Sequence, residues 1–233
     1  MINVICLKHG NKYGSDYVNK LYNMVQRHLT LPHKFICFTD DPSGIVADIE
    51  IRQLPNLPHI SGWWWKPYLF KLGHFFADDI NLFFDLDMVI VSNIDQLITY
   101  KPDEFVGLRD VSRIFKTIPP KLGSAVMRWS GDKYSNIWTD LYENFQISTR
   151  FRGDQDWIWH LHKENIKFFP DECIRSYKGE VRSKHELIRT PDRRYVFRDI
   201  QNPTLPPDTM VLAFHGTPDP HEVSDQIILD NWR

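Results

Sequence analysis

The 233 residues carry 28 Lys and Arg against 30 Asp and Glu, a net charge of −2, so there is no basic field to recruit nucleic acid or an anionic membrane and recognition has to be local. The length fits one domain with a sizeable core. Cys6, Cys37 and Cys173 are an odd number at wide spacings, which reads as buried hydrophobes of a reducing compartment rather than a disulfide or zinc framework. No apolar run approaches the about 20 residues of a membrane span, and the N-terminus enters a strand pattern without a basic leader, so a soluble cytoplasmic protein is expected.

Ile2 to Leu7 is an apolar run of strand length, followed by the polar loop Lys8 to Gly14. Ser15 can cap a helix whose apolar positions Val18, Leu21, Tyr22, Val25 and Leu29 follow a 3.6 period. Phe35 to Phe38 makes the next strand and ends at Thr39, Asp40 and Asp41. Strand, helix and strand in alternation predict an α/β sheet, mixed and mainly parallel, with ligands at the carboxyl ends of its strands. Lys8, His9, Tyr13 and Asp40 would stand there to hold a nucleotide, although a solvated loop would have the same composition.

Asp48 to Leu54 reads as an edge strand. Gly62-Trp-Trp-Trp-Lys66-Pro67 opens a helix, since proline is tolerated in a first turn, and puts Lys66 at a helix start suited to an anion. The same lysine also fits a surface position between aromatics.

Asn81 to Val91 is an apolar strand interrupted by Asp85 and Asp87. Side chains of a strand alternate, so the two carboxylates project from one face as unpaired like charges. In so apolar a setting each would cost several kcal/mol or lose its charge, whereas a divalent cation neutralises both. A solvated turn at the strand end is the bland alternative, and the return of hydrophobicity at Met88 to Val91 argues against it.

Further on, Ser92 to Ile98 reads as a short helical turn, Phe105 to Leu108 as a strand, and Gly123 to Met127 as a strand of small residues. Ile137, Leu141, Tyr142 and Phe145 give a helical face. Gly153-Asp154-Gln155-Asp156 is a polar loop before a helix, Ile158 to Asn165, which Asp154 can cap. Phe168 to Pro170 and Ile174 to Lys178 are strand-like, and 179–209 reads as a polar loop or lid without secondary structure. Met210 to Phe214 is a last strand, and His215 at its carboxyl end is placed to be a third metal ligand.

Two carboxylates and an imidazole suit manganese, with magnesium the choice for oxygen ligands alone. Such an ion bridges a diphosphate and stabilises it as it leaves, which is donor chemistry for a nucleotide sugar.

Phe84-Asp85-Leu86-Asp87 resembles the DxD motif of the GT-A class of metal-dependent glycosyltransferases. Trp65-Lys66 with Phe70, Gly153-Asp-Gln-Asp156, Ser176-Tyr-Lys178 and Phe214-His-Gly-x-Pro-x-Pro-His-Glu222 are similar to bacterial and phage glycosyltransferase-like proteins. There is partial similarity to glycosyltransferase family 8, in which a C-terminal histidine completes the metal site and a lysine beyond it binds phosphate. His215 matches the histidine, whereas Asp219 stands where the lysine would be.

The resemblance implies a single GT-A domain over residues 1–233, with a nucleotide-binding half to about residue 100 and an acceptor half beyond it. It implies a Mn²⁺ or Mg²⁺ ion on Asp85, Asp87 and His215, and a donor, of UDP-sugar type, held by Lys8, His9, Tyr13, Asp40, Asp85, Lys66 and Lys178. Asp154 and Asp156 would face the sugar or a glycan or other hydroxyl acceptor, with Asp156 the base if the reaction inverts. Two other readings are a carbohydrate-binding protein using Trp63, Trp64 and Trp65 as stacking platforms, and a nucleotidyltransferase, for which Lys8 to Gly14 is a poor triphosphate loop.

Overall fold

The computed structural model describes residues 1–111, 119–189, 195–199 and 203–233, with 183–189 and 195–199 as backbone alone. Strand β1 (Ile2–Lys8) is followed by helix α1 (Ser15–His28) and strands β2 (His33–Thr39) and β3 (Glu50–Gln53). A 3₁₀ helix, Gly62–Phe70, leads to β4 (Ile80–Phe84), β5 (Met88–Ile90), α2 (Asp95–Thr99), β6 (Phe105–Arg109) and β7 (Leu122–Ser130). Helices α3 (Asn136–Glu143) and α4 (Asp154–His162) precede β8 (Ile166–Phe168) and β9 (Ile174–Ser176). The chain ends with β10 (Ser183–Arg189), β11 (Tyr195–Asp199), β12 (Val211–Ala213) and α5 (Gln226–Asn231).

Seven strands form the central sheet in the order β3-β2-β1-β4-β7-β6-β8, parallel except for β7. Period-two alternation explains why both faces are covered. Val4, Cys6, Leu82 and Phe84 pack on the side of α1, while Ile5, Ile36, Phe38 and Phe83 pack on the side of the 3₁₀ helix, α3 and α4. The three cysteines are free and buried. The edge-strand reading of residues 48–54 holds, since β3 lies at the sheet margin.

A second sheet, β5-β12-β9, supplies the geometry of the site. β12 is antiparallel to β5, with Ala213 opposite Met88, and parallel to β9, with Ala213 beside Ser176. The start of β5 therefore meets the end of β12, so the residues just before Met88 and just after Ala213 share one edge. Parallel β1, β2 and β4 deliver their carboxyl ends to the same region.

Several sequence expectations are corrected. Ser15 begins α1 but does not cap it; Gly14 is the N-cap, and no side chain caps the helix. The lid expected over 179–209 contains the end of a π-helical turn, Tyr177–Val181, and an antiparallel hairpin of β10 and β11; 190–194 and 200–202 lie outside the described residues. The helix expected from Ile158 starts at Asp154, so the carboxylates of Gly153-Asp-Gln-Asp156 belong to its first turn. Among the described residues no helix is long and apolar enough to cross a membrane.

Candidate active site

Asp85 and Asp87 do not lie on one continuous strand. β4 stops at Phe84, a turn carries Asp85 to Asp87, and the chain enters the other sheet at Met88. The Asp85 N–H still donates to Ala125 on β7 at 2.8 Å, and the Met88 N–H closes the turn on the Asp85 carbonyl at 3.3 Å. Leu86 is driven into the core, and the acids on either side of it are left facing the same cavity. The turn is half-buried rather than solvated.

Lys66 reaches this turn from the 3₁₀ helix, where it is the fifth residue and not the helix start expected from sequence. Its ammonium donates to Asp85 at 2.8 Å and to the Ser124 hydroxyl at 3.2 Å, and stands 3.8 Å from Asp154. Burial disfavours its charge, but Asp154, Asp85 and Asp87 outweigh that and push its pKa up to about 12. Burial pushes Asp85 up to about 7 despite Lys66, and also raises Asp87. Three carboxylates stabilise the one ammonium, while burial outweighs Lys66 at Asp85, and outweighs the Tyr13 hydrogen bond, Lys66 and Lys12 at Asp87. The premise that the two aspartates lack a basic partner is thereby corrected for Asp85.

Tyr13 covers the other acid, its hydroxyl lying 3.0 Å from Asp87 and 3.2 Å from Asp219. Burial and then both carboxylates hold the phenol above its ordinary pKa, so it remains a donor. His215 follows β12 as expected and lies with Nε2 2.6 Å from the Ser176 hydroxyl.

Of the other sequence candidates, His9 lines the space over the turn, whereas Lys8, Asp40 and Lys178 do not. Lys8 donates to the Asp41 carbonyl at 3.1 Å, Asp40 accepts from the Gly10 N–H at 3.0 Å, and His9 stands 3.7 Å from Asp40. Lys178 donates to the Thr217 carbonyl at 3.0 Å, which ties down the loop after His215.

Two cavities meet over this turn, sharing Trp63, Lys66, Asp85 and Asp87. One, of about 470 Å³, is bounded by His9, Lys12 and Tyr13 from the N-terminal loop. The other, of about 370 Å³, is bounded by Ser124 on β7, Asp154 and Gln155 on α4, and His215. Asp85, Asp87 and His215 thus line one cavity, although among the described residues no three His, Cys, Asp or Glu side chains close around a point that would enclose an ion. Asp156 does not reach that cavity; it turns into an adjoining groove, 3.8 Å from Lys121.

No family model matches the sequence, and no curated protein does. Solved structures do match. The galactosyltransferase LgtC, in complex with donor and acceptor sugar analogues, superposes with a TM-score of 0.61 at 14% identity over 97% of this chain and 91% of that one. An active-site glutamine-to-glutamate mutant of LgtC gives 0.58 at 14% over 96% and 91%. The glycosyltransferase GlyE of Streptococcus pneumoniae TIGR4 gives 0.56 at 12% over 73% of this chain, which spans only 45% of GlyE. The chain has the GT-A fold.

Within the GT-A fold, several residues in or beside the cavities have no role assigned from sequence. Lys12 lies over the Tyr13 ring at 4.4 Å, Gln155 lines the cavity beside Asp154, and Asp219 joins Asp87 through Tyr13. Of the three tryptophans proposed as a stacking platform, only Trp63 lines the cavities. Trp65 is buried, and Trp64 packs against Phe145. Trp63 lies close to Gly153, where a Cβ would stand 3.0 Å from its Nε1, so a side chain there would have to displace the exposed Trp63 ring.

Proposed function

We propose that this protein is a glycosyltransferase that moves a sugar from a nucleotide-diphosphate sugar, of UDP type, to a hydroxyl of a glycan acceptor, with Mn²⁺ or Mg²⁺ as cofactor. The observation that carries the reading is the acidic turn where the two cavities meet: Asp85 and Asp87 share it with Lys66, Asp154 stands behind it, Lys12 is a further cation in the lining, and burial still holds both turn carboxyls above their ordinary pKa. A divalent ion supplies the missing charge, and Mg²⁺-type sites commonly take one or two protein carboxylates and complete their shell with substrate phosphates rather than with an all-protein cage. Asp85, Asp87 and His215 are the residues to hold it, and when bound it supplies Lewis-acid stabilisation of the departing diphosphate.

The chain's own groups do the rest. The cavity bounded by His9, Lys12 and Tyr13 takes the nucleoside, with Lys12 on the phosphate side. Lys66, held protonated by its acidic neighbours, fixes the Asp85 carboxylate. Asp154 lines the sugar side and keeps an Oδ2 that accepts no hydrogen bond among the described residues. Because Asp154 lines this cavity and Asp156 does not, Asp154 is the residue to position the sugar or accept the acceptor proton. Gln155 offers an amide beside it, and an active-site glutamine was altered in LgtC.

Calorimetry of UDP and GDP binding with and without manganese tests this, followed by a screen of nucleotide sugars for metal-dependent donor hydrolysis. Metal-dependent affinity for one nucleotide is expected. Absence of any such affinity removes the reading.

A further inference from the structure

α4 presents two surfaces. Asp154 and Gln155 in its first turn face the reaction cavity, while Asp156, Trp159, His160 and Lys163 follow at the three- and four-residue spacing that stacks side chains along one face. That face lines a separate groove of about 450 Å³, with Lys121 and Arg150 also in its wall. Arg152 lines both spaces, so the groove adjoins the reaction cavity.

The groove is cationic in a chain whose net charge is −2. Lys121, Arg150, Arg152 and Lys163 face one carboxylate, Asp156, and Lys121 already pairs with it. Among the described residues the side chains of Arg150, Arg152 and Lys163 carry no hydrogen bond or ion pair. Three uncompensated cations beside one depression repel each other and become favourable with an anion between them. Guanidinium forks match phosphate and carboxylate oxygens. Trp159, backed by Phe168 at 5.8 Å, adds a ring of the kind a sugar face packs on.

We propose that this groove is the acceptor subsite and that the acceptor is an anionic carbohydrate, bearing phosphate or carboxylate groups next to the sugar that receives the transferred residue. The proposal rests on the transferase reading for the word acceptor, but not for the anionic carbohydrate.

The test is calorimetric titration of the intact protein with cellobiose, cellobiose 6′-phosphate and cellobiouronic acid at low and moderate salt, repeated in an Arg150→Gln/Lys163→Gln double variant. Both residues are exposed, so folding is not at stake, and UDP binding is measured alongside as a control. At least tenfold tighter binding of one anionic disaccharide over cellobiose is expected. The better of the two identifies phosphate or carboxylate as the group read. The preference should fall to within threefold in the double variant with UDP affinity unchanged.

Equal affinity for all three sugars overturns the proposal, as does a preference that survives in the double variant. Competition by inorganic phosphate as strong as by the phosphorylated disaccharide also overturns it. Sedimentation with phosphatidylglycerol vesicles that the double variant loses, without any sugar preference, would make the groove a membrane contact instead. If the wild type binds no UDP yet keeps the sugar preference, it is the transferase reading that fails.

Discussion

Two carboxylate pairs with the same one-residue spacing, Asp85 and Asp87 against Asp154 and Asp156, end in opposite arrangements. In the turn between sheets Leu86 goes into the core, and the acids on either side of it share one cavity. On α4, residues two apart lie about 200° apart around the axis. Asp154 therefore enters the cavity over the acidic turn, while Asp156 enters the cationic groove. The first pair, with Asp154, is left short of cations around Lys66; Asp156 has Lys121 to itself. Spacing in sequence becomes chemistry only once the backbone is known.

The contrast breaks most visibly at Lys66. Lys66→Met leaves Asp85 and Asp154 without their ammonium, and losing one partner of such a buried pair costs about 3 kcal/mol. Denaturant unfolding reads this, and a variant as stable as the wild type would mean that the acids do not depend on the lysine.

Asp87→Asn should do the reverse, keeping stability and losing function. Burial already disfavours the Asp87 charge, so a neutral amide leaves the melting temperature unchanged or higher. Manganese-dependent UDP affinity should fall at least about 10–100-fold, the loss in metal affinity that disturbing even the residues behind a metal's ligands brings. Unchanged affinity would return the pair to the status of a structural turn.

Asp154→Asn should cost about 10²-fold in turnover with either kind of acceptor. Asp156→Asn should leave kcat within about tenfold and act on the KM for the acceptor, because its carboxylate lines the groove instead. Equal losses in steady-state assays of both variants would erase the distinction drawn on α4.

What could be read from the sequence follows from periodicity. The apolar runs Ile2 to Leu7 and Phe35 to Phe38, the 3.6 spacing of α1 and the apolar run before His215 each fix an element without help from elsewhere. The run before His215 gives the strand but not its neighbour; its pairing with β5, which carries His215 to the acidic turn, comes from the structure. The change of sheet between Phe84 and Met88 was not visible, because both sheets bury their strands and the residues on either side are equally apolar. Lys66 to Asp85 and Tyr13 to Asp219 are side-chain contacts across 19 and 206 positions, and nothing local encodes them. The β10 and β11 hairpin was missed because Ser183 to Arg189 is mostly polar and shows no clean alternation. Asp156, Trp159, His160 and Lys163 follow helical spacing, and that spacing alone separates them from Asp154.

The smallest effect concerns acid stability and decides how the acidic turn can be titrated. His74 is packed against Tyr68 and Phe38 at ring distances of 4.8 and 5.1 Å. Burial, with Arg52 and Lys71 nearby, lowers its pKa to about 4, so the folded protein holds it neutral. The unfolded chain takes up that proton near pH 6.5, and the stability His74 contributes above that value is lost as pH falls toward 4. Asp85 runs the other way in the metal-free protein: with its folded pKa raised to about 7, it favours the folded state as pH falls through the same window. The two slopes partly cancel, so a flat profile between pH 7 and 4 would not mean that the turn is inert. His74→Phe keeps a ring among its aromatic neighbours and should recover about 1 kcal/mol at pH 5 relative to pH 7, after allowance for partial solvent screening. Asp85→Asn should steepen the acid loss instead. If thermal melts of the two variants shift in the same direction over that range, the opposed titrations are refuted, and with them the view that burial leaves Asp85 short of positive charge.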